Sequence, residues 1–456
     1  MVGASLNKAF YHPHPSLQPA WNSAQLGLLF FPLSPFLGAV GIILASLLTW
    51  LQQYRTIIRR PLNWGFALLS VLLIMTAGLA DDKTSALLGL FNLIPFFLIF
   101  AGLSGLIQTI AQLRQIAWIL LIGSVPLVIM GFGQFFLGWN LNFKFLWIVL
   151  EWTLAPGGEP PGRMASILMH ANTLAAYLVI IFILGLGLWL ENFQQLRANR
   201  HQSTVTSQPS TVNRQPSPHP PLLFLTVAII TNFIALILTN SRNGWAIAIC
   251  ACLAYALYQG WRILVGGVTA VIASFLLAAF APSPVAGLFR RFVPAFFWAR
   301  LNDDMYPDRP VALMRKTQWE FAWSLTQQHP WNGWGLRSFS ALYQVHTQLS
   351  LGHPHNFFLM LAAETGLPST LLFCGLIGWI LFAGLQLLRR SNYIDPEDKL
   401  IFFSYLLVLF GWVLFNTVDV TLYDFRLNTL SWLLLSAACG VVYRYNREDR
   451  LNANQS

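Results

Sequence analysis

Long apolar runs separated by short polar connections recur along almost the whole chain. A helix needs about 20 apolar residues to cross about 30 Å of hydrocarbon. The runs predict membrane spans near 62–80, 85–107, 115–137, 166–190, 221–239, 243–259, 262–280, 367–388, 400–417 and 428–443. The stretch 26–51 is either one long span or a hairpin of two short spans interrupted at Pro32 and Pro35. The pattern therefore predicts 11 or 12 transmembrane helices.

The composition agrees with this pattern. Of the 456 residues, 56% are hydrophobic and only 10% are charged, whereas a soluble globular chain carries roughly 25% charged residues. The predicted fold class is therefore all-α, a polytopic membrane protein.

Positive charge divides the connections between the predicted spans into two groups. Short cytoplasmic loops of membrane proteins are enriched in Lys and Arg. One face carries nearly all of the short-loop cations: Arg55, Arg59, Arg60, Arg114, Arg197, Arg200, Arg214, Arg262, Arg389, Arg390, Lys399, Arg444, Arg447 and Arg450. That face is predicted to be cytoplasmic, so the connections 81–84, 138–165, 240–242, 281–354 and 418–427 face outward. The net charge of +10 follows from this topology, and no nucleic-acid partner is predicted.

Two connections stand apart from the others in composition. The segment 191–220 is low-complexity and rich in Ser, Thr, Pro and Gln, which predicts a disordered cytoplasmic linker. It separates N-terminal spans in 1–190 from a core in 221–390, and 391–456 adds C-terminal spans and a tail. The outer loop 281–354 is long and rich in aromatic residues. Its apolar residues show helical spacing, which is interrupted at Pro330, Gly333 and Gly335. It predicts an ordered lid or substrate platform, although Trp anchoring at the membrane interface explains several of its aromatic residues.

Two arginines lie in outer connections, where the positive-inside rule disfavours them. Arg163 follows a Gly/Pro-rich stretch and precedes a span that carries His170 and Asn172, while Arg242 lies in a turn between two spans. A guanidinium group binds phosphate oxygens in pairs and stays charged at any relevant pH. The two arginines therefore predict a clamp for a lipid-linked diphosphate. The alternative for each is snorkelling of the side chain to lipid headgroups.

The motif "HPHNFFLMLAAETGLP" places polar groups at the outer end of another span. His355 is the candidate general base because the unperturbed pKa of histidine lies near neutral pH, with helix capping as the alternative. Asn356 is predicted to be an N-cap, and His353 remains without an assigned role. Glu364 lies nearly opposite His355 on a helix, so it is expected to bind helix ends or arginines instead. "GLP" at 366–368 predicts a break.

No cofactor signature is present in the sequence. There is no GxxxxGK[ST], G-x-S-x-G or H-E-x-x-H motif. The four cysteines lie within predicted spans and have no zinc-ligand or disulfide spacing: Cys250, Cys252, Cys374 and Cys439. We expect neither a metal nor a cofactor, so the energy for any reaction must come with the substrate or from a gradient.

Four motifs, in this order along the chain, resemble the O-antigen ligase and polymerase family. They are "GRMASILMHAN", "NSRNGW", "HPWNGWGLRSF" and "HPHNFFLMLAAETGLP", and the resemblance is strongest over about 225–390. The outer turn "FNTVDVTLYDFRLN" at 415–428 is compatible but weak. The resemblance implies a GT-C-like fold that transfers a glycan from undecaprenyl diphosphate to an acceptor hydroxyl. The acceptor would be lipid A core, another glycan or a protein, at the periplasmic face of the bacterial inner membrane.

The resemblance also implies roles for individual residues. Arg163 and Arg242 would bind the diphosphate, and His355 would deprotonate the acceptor. Transfer would then proceed with inversion in a single displacement, without metal or nucleotide. Arg337 departs from the family pattern and is expected to supplement the diphosphate site or to pair with Asp303 or Asp304.

Several activities remain open at this point. The pattern does not separate a ligase from a repeat-unit polymerase or from a protein glycosyltransferase, and it does not predict the oligomeric state. Some members of the family have been labelled bicarbonate transporters, a different class. A transporter needs polar groups near the bilayer midplane and often contains inverted repeats. No repeat is found here, and the polar groups concentrate at the outer surface, which favours a transferase.

Overall fold

A computed structural model describes residues 10–146, 149–205, 220–295, 298–299, 302, 310–390 and 394–453. The helices are α1 (Gln18–Phe30), α2 (Pro35–Ile58), α3 (Pro61–Leu79), α4 (Lys83–Leu90), α5 (Ile94–Leu106), α6 (Ile110–Phe136), α7 (Ala171–Val205), α8 (Pro220–Leu238), α9 (Arg242–Tyr258), α10 (Arg262–Phe280), α11 (Ser283–Phe289), α12 (Arg315–Gln328), α13 (Ser338–Thr347), α14 (Phe357–Arg390), α15 (Pro396–Asn416) and α16 (Phe425–Ala453). A two-stranded antiparallel hairpin, β1 (Leu141–Phe145) and β2 (Leu150–Leu154), lies between α6 and α7. The all-α polytopic class is confirmed, and the hairpin is an addition that the sequence pattern did not predict.

Ten helical segments within the described residues are long and apolar enough to cross a membrane. They include α4 and α5 taken together as one span, Lys83–Leu106. Two further apolar helices are shorter: α1 with 13 residues and α9 with 17. The ambiguous stretch 26–51 belongs to two helices, α1 and α2, which are separated at residues 31–34; Pro32 lies in this break and Pro35 is the first residue of α2. The chain therefore breaks as the hairpin alternative predicted, but α2 is long enough to span by itself and α1, with 13 residues, is not.

Helices α1 and α2 pack so closely that their backbones touch. A Cβ atom added to Gly41 would lie 2.6 Å from the Cα atom of Gly27, and one added to Gly27 would lie 2.8 Å from the Gly38 carbonyl oxygen. Small residues permit such close approach between helices in lipid, where dispersion contacts replace the hydrophobic effect as the force that holds helices together.

The core of the bundle lies around α7 and α16. In these helices 83% and 89% of the most apolar 18-residue window is buried, against 11% in α10. The Trp432 ring of α16 is contacted edge-on by aromatic rings from three other helices at centroid distances of 5.2–6.4 Å: Phe66, Phe97, Phe100 and Phe373. Edge-to-face geometry is the favoured arrangement for aromatic pairs, so this cluster fixes α3, α5, α14 and α16 against one another.

Helix α7 continues to Val205, beyond the predicted end of its span at residue 190. The first part of the expected linker is therefore helical, and residues 206–219 lie outside the described residues. Just beyond the predicted end of the span, the buried carboxylate of Glu191 binds Arg114 of α6 at 2.5 Å. The same guanidinium contacts Asp398 of α15 at 2.6 Å. A paired charge can be buried where an isolated one cannot, so the ion triad ties three helices together at the ends that the Lys/Arg bias predicts to be cytoplasmic.

The loop predicted to form a lid is ordered where the structure describes it. Helix α12 ends at Gln328, the chain turns through "HPWNGWGLR", and α13 follows. The breaks predicted at Pro330, Gly333 and Gly335 fall in this turn. Helix α14 is likewise bent at Gly366, which has φ 78° and ψ 168°, as predicted from "GLP".

Candidate functional site

The site begins at the turn that leads into α14. Asn356 caps this helix, because its side-chain oxygen accepts a hydrogen bond from the backbone N–H of Leu359 at 3.0 Å. His355 precedes the cap in a left-handed conformation with φ 50°. This non-helical turn directs the His355 side chain towards the connection between α15 and α16.

The partner of His355 in that connection is Asp419. The Nδ1 atom of His355 lies 3.3 Å from Oδ1 of Asp419, and the two side chains are 29% and 9% exposed. The same carboxylate oxygen accepts the backbone N–H of Val420 at 2.9 Å. Burial opposes the charge of Asp419, but the hydrogen bond from His355 and the adjacent imidazoles outweigh it and lower the pKa of the carboxyl. Asp419 is therefore an ionised partner for the imidazole.

His353 lies beside this pair. Its ring is 4.5 Å from that of His355 at an interplanar angle of 82°, and its Nε2 atom is 4.0 Å from Oδ1 of Asp419. Burial and the neighbouring His355 lower the pKa of His353 to about 4. The three side chains place their ligand-type atoms within 4.8 Å of one another, close enough to hold a metal ion.

Asp419 connects the histidine to Arg163 through one amide. Its Oδ2 atom accepts from Nδ2 of Asn172 at 3.1 Å, and Oδ1 of Asn172 accepts from the Arg163 guanidinium at 2.6 Å. Arg163 also donates through Nε to the backbone oxygen of Thr239 at 2.8 Å. A continuous line of hydrogen bonds therefore runs from His355 to Arg163 and on to the turn that precedes α9.

The Gly/Pro-rich stretch before Arg163 gives its backbone an unusual path. Gly157, Gly158 and Gly162 all have positive φ, and a Cβ atom at Gly158 would lie 1.9 Å from the Arg163 carbonyl oxygen. Glycine alone tolerates this combination of left-handed backbone and close approach. The composition of the stretch is thus explained by the fold that presents Arg163.

Arg242 opens α9 from the turn on which Arg163 rests. Ser241 caps the helix by accepting from the Gly244 N–H at 3.4 Å, and the Arg242 side chain is exposed. Because the Thr239 carbonyl binds Arg163, both predicted diphosphate ligands are anchored to the same turn, 239–242. The partial positive charge at the N-terminus of α9 adds to the positive charge of the two arginines.

His170 borders the same region. It directly precedes α7, and its Nδ1 atom accepts the backbone N–H of Asn172 at 3.2 Å. Burial and the positive charge of Arg163 lower the pKa of His170. His170 is therefore a neutral neighbour of the arginine near neutral pH.

Glu364 does not contact the histidines. Its buried carboxylate accepts the backbone N–H of Phe339 at 3.3 Å and the hydroxyl of Tyr423 at 3.1 Å. Phe339 lies in the first turn of α13, so Glu364 binds a helix end, as its position in the sequence suggested. Arg337 is exposed in a left-handed conformation just before α13, and its backbone N–H also faces this carboxylate. Asp303 and Asp304, the partners suggested for Arg337, lie outside the described residues.

The turn between α12 and α13 fits tightly against the bend in α14. The N–H groups of Trp334 and Gly335 donate to the carbonyl oxygens of Ala363 and Glu364 at 3.0 and 2.8 Å. Gly366 faces the same turn, since a Cβ atom on it would lie 2.4 Å from the Trp331 carbonyl oxygen. The bend of α14 thus replaces its missing helical hydrogen bonds with bonds to the lid.

Trp319 of α12 connects the lid to the histidine turn. Its indole N–H donates to the carbonyl oxygen of Pro354 at 3.0 Å. Trp323 and Trp331 are exposed, and aromatic faces of this kind are available to a ligand or to the membrane interface. The lid therefore touches the site directly through Trp319.

Comparison with known families finds a similarity over one part of the chain. Residues 227–374 match the O-antigen ligase family. The match covers 148 of the 456 residues, so the chain is similar to this family over about a third of its length. No curated protein matches the chain. The matched O-antigen ligase segment includes Arg242, the lid and His355, whereas Arg163, Asn172 and Asp419 lie outside it.

Asp419 is the residue that the sequence reasoning missed. The outer turn "FNTVDVTLYDFRLN", which contains Asp419, is only a weak part of the O-antigen ligase resemblance, and the resemblance assigns no role to any residue in it. A signal was nevertheless present, because an acid in a short outer connection between two apolar spans needs a partner. The histidines of "HPHN" face outward in the same topology and are such partners.

Proposed function

We propose that this protein is a transferase of the O-antigen ligase type. It transfers a glycan from a lipid diphosphate carrier to an acceptor hydroxyl at the outer face of the membrane that its helices span. One observation carries the proposal. A part-buried chain of hydrogen bonds joins the predicted base, His355, to the predicted diphosphate ligand, Arg163, through Asp419 and Asn172. A transferase of this kind needs a base and an anion-binding group held at a fixed separation.

His355 would act as the base through Nε2. The contact with ionised Asp419 assigns the proton of the neutral ring to Nδ1, which leaves the lone pair of Nε2 available. An acidic partner on the far nitrogen also stabilises the imidazolium that forms when the proton is taken. Asp419 in this scheme orients His355 and does not itself touch the substrate.

Arg163 and Arg242 would bind the diphosphate. Arg163 is held by Asn172 and by the Thr239 carbonyl, so it is preorganised, and Arg242 is exposed on the same turn. Positive groups fixed where charge develops lower the barrier for departure of an anion. Both arginines therefore favour the diphosphate as the leaving group.

The reaction balances without any further reactant. The acceptor oxygen attacks the anomeric carbon while its proton moves to Nε2 of His355. The bond between that carbon and the diphosphate oxygen breaks, and the lipid diphosphate leaves with the electron pair. A single displacement inverts the configuration, and metal-independent transfer follows because the diphosphate is already an activated leaving group. The proposed donor is an undecaprenyl-diphosphate glycan, and the proposed acceptor is lipid A core.

The test uses full-length protein in phospholipid vesicles with an undecaprenyl-diphosphate-linked glycan and acceptor. Wild type should form acceptor-linked glycan, and His355→Gln and Arg242→Ala should not. In cells, loss of all attachment with carrier-linked glycan accumulating would indicate a ligase. Loss of long chains with single units still attached would indicate a polymerase. Unchanged surface glycan with altered inorganic-carbon uptake would contradict the transferase and favour transport.

A further inference from the structure

We propose that His353, His355 and Asp419 form a binding site for a zinc ion, and that zinc bound there switches the transferase off. The ligand atoms of the three side chains lie within 4.8 Å of one another. Zinc binding rests on this geometry alone, whereas the inhibitory effect rests on the proposed function. The two parts are therefore tested separately.

The distances suit a single small ion. Bonds from zinc to imidazole nitrogen and carboxylate oxygen measure about 2.0–2.2 Å, so ligand atoms around a tetrahedral zinc lie about 3.3 Å apart. The distance from Asp419 Oδ1 to His355 Nδ1 is 3.3 Å, and that to His353 Nε2 is 4.0 Å. Of these two distances only the second must shorten, and the ligand atoms of the two histidines lie within 4.8 Å of each other. His353 lies in an irregular turn and is part-exposed, so rotation of its side chain is sufficient.

The ligand set favours zinc over the hard cations. Two imidazoles and one carboxylate suit zinc, while magnesium and calcium prefer oxygen ligands throughout. Three protein ligands leave a fourth position open to water. Outer contacts already hold the carboxylate in place, because Asn172 donates to Oδ2 and the Val420 N–H donates to Oδ1. Such contacts orient metal ligands in known sites.

Coordination changes the protonation of both histidines. Zinc on Nδ1 of His355 leaves the proton of the neutral ring on Nε2, which then donates a hydrogen bond and has no free lone pair. The ring can no longer accept a proton from the acceptor hydroxyl. Zinc on Nε2 of His353 moves its proton to Nδ1 and breaks the 3.2 Å hydrogen bond from the His355 backbone N–H. Two hydrogen bonds, this one and the one between His355 Nδ1 and Asp419 Oδ1, are thus exchanged for three metal–ligand bonds.

Zinc binding is measured first, by equilibrium dialysis of ZnCl2 against purified full-length protein in detergent. One equivalent should bind to wild type, and His353→Gln and Asp419→Asn should each weaken binding at least about tenfold. The matched control is His346→Gln, which removes an exposed histidine of the same outer loop that stacks on Phe321. It should bind as wild type does. Equal affinity in all four proteins would overturn the site.

The effect on transfer is measured second, in vesicles, with ZnCl2 or with EDTA. Zinc should stop wild-type transfer, and EDTA should restore it. In His353→Gln, half-inhibition should need at least about tenfold more zinc relative to that variant's own zinc-free rate. Zinc that binds but leaves the rate unchanged, or raises it, would overturn the inhibitory switch. Absence of transfer in both conditions would contradict the proposed function and leave the dialysis result to decide the site.

Discussion

His355 and Asp419 lie 64 residues apart in the chain, yet Nδ1 of one is 3.3 Å from Oδ1 of the other. The contact joins the outer end of α14 to the connection between α15 and α16. It converts a histidine at a helix entrance into an oriented imidazole with an ionised partner.

The His355–Asp419 pair predicts the effect of removing the base. His355→Gln should lower kcat by roughly 10²–10⁴-fold, the range for loss of a general base. Because the proposed ligands of the lipid diphosphate are the arginines and not His355, the KM for the donor should change little. Steady-state transfer in vesicles checks this, with His346→Gln as the control. A His355→Gln variant that retained wild-type kcat would exclude this histidine as the base.

Asp419→Asn tests the orienting role separately. The amide keeps the size of the carboxylate but can present its NH2 group to Nδ1, which favours the wrong tautomer of His355. We expect kcat to fall by about 10²–10⁴-fold, the upper end being the effect of the corresponding change in the serine protease triad. Asp424→Asn, in the same outer connection, is the matched control. If Asp419→Asn were as active as the control Asp424→Asn, an orienting role of Asp419 in catalysis would be excluded.

Asn172 and Arg163 should affect donor binding. Asn172→Ala removes the 2.6 Å contact that holds the guanidinium, so we expect the donor KM to rise by about tenfold. Arg163→Lys should behave like Arg163→Ala, since an ammonium group cannot span both Asn172 and the Thr239 carbonyl. Asn192→Ala in the same helix is the control. Donor KM values unchanged in both Asn172→Ala and Arg163→Lys would contradict a diphosphate role for Arg163.

The bend in α14 should require glycine at position 366. Its φ of 78° with ψ of 168° is a region almost closed to other residues, and occupying it costs about 1–3 kcal/mol. A Cβ atom there would also lie 2.4 Å from the Trp331 carbonyl oxygen. Gly366→Ala should lower the thermal transition of the detergent-solubilised protein by several degrees. Gly375→Ala, where a Cβ meets nothing within 4 Å in the same helix, should leave it unchanged or raise it slightly, because Ala favours the helix more than Gly does.

Glu364 and Tyr423 should be coupled in stability. The carboxylate accepts from both Phe339 N–H and Tyr423 O–H, and the amide of Glu364→Gln has only one acceptor oxygen for these two donors. Tyr423→Phe removes one donor, so Glu364→Gln should cost less in that background. A double-mutant cycle from thermal unfolding should give a coupling free energy of about 0.5–3 kcal/mol. Strictly additive effects would show that the two side chains do not interact.

The sequence by itself determined the membrane class and most of the spans, and it supplied the candidate site residues. These features are local: a span is a continuous apolar run, a cap is Asn356 before a helix, and a bend is "GLP". The topology inferred from Lys and Arg also grouped Arg163, Arg242 and His355 on one face. The sequence pattern predicted too early an end for α7. Glu191, at that predicted end, is buried against Arg114 of another helix, and composition does not reveal this contact.

Only the tertiary structure decided which groups meet. Asn172 and Asp419 are separated by 247 residues, and their contact depends on how α7, α15 and α16 rotate against one another. Hydropathy shows that a helix crosses the membrane. The rotation of that helix about its own axis is set by side-chain packing against its neighbours. The partner of His355, the link from Asp419 to Arg163 and the binding of Glu364 to α13 are therefore products of packing. No local pattern in the chain specifies them.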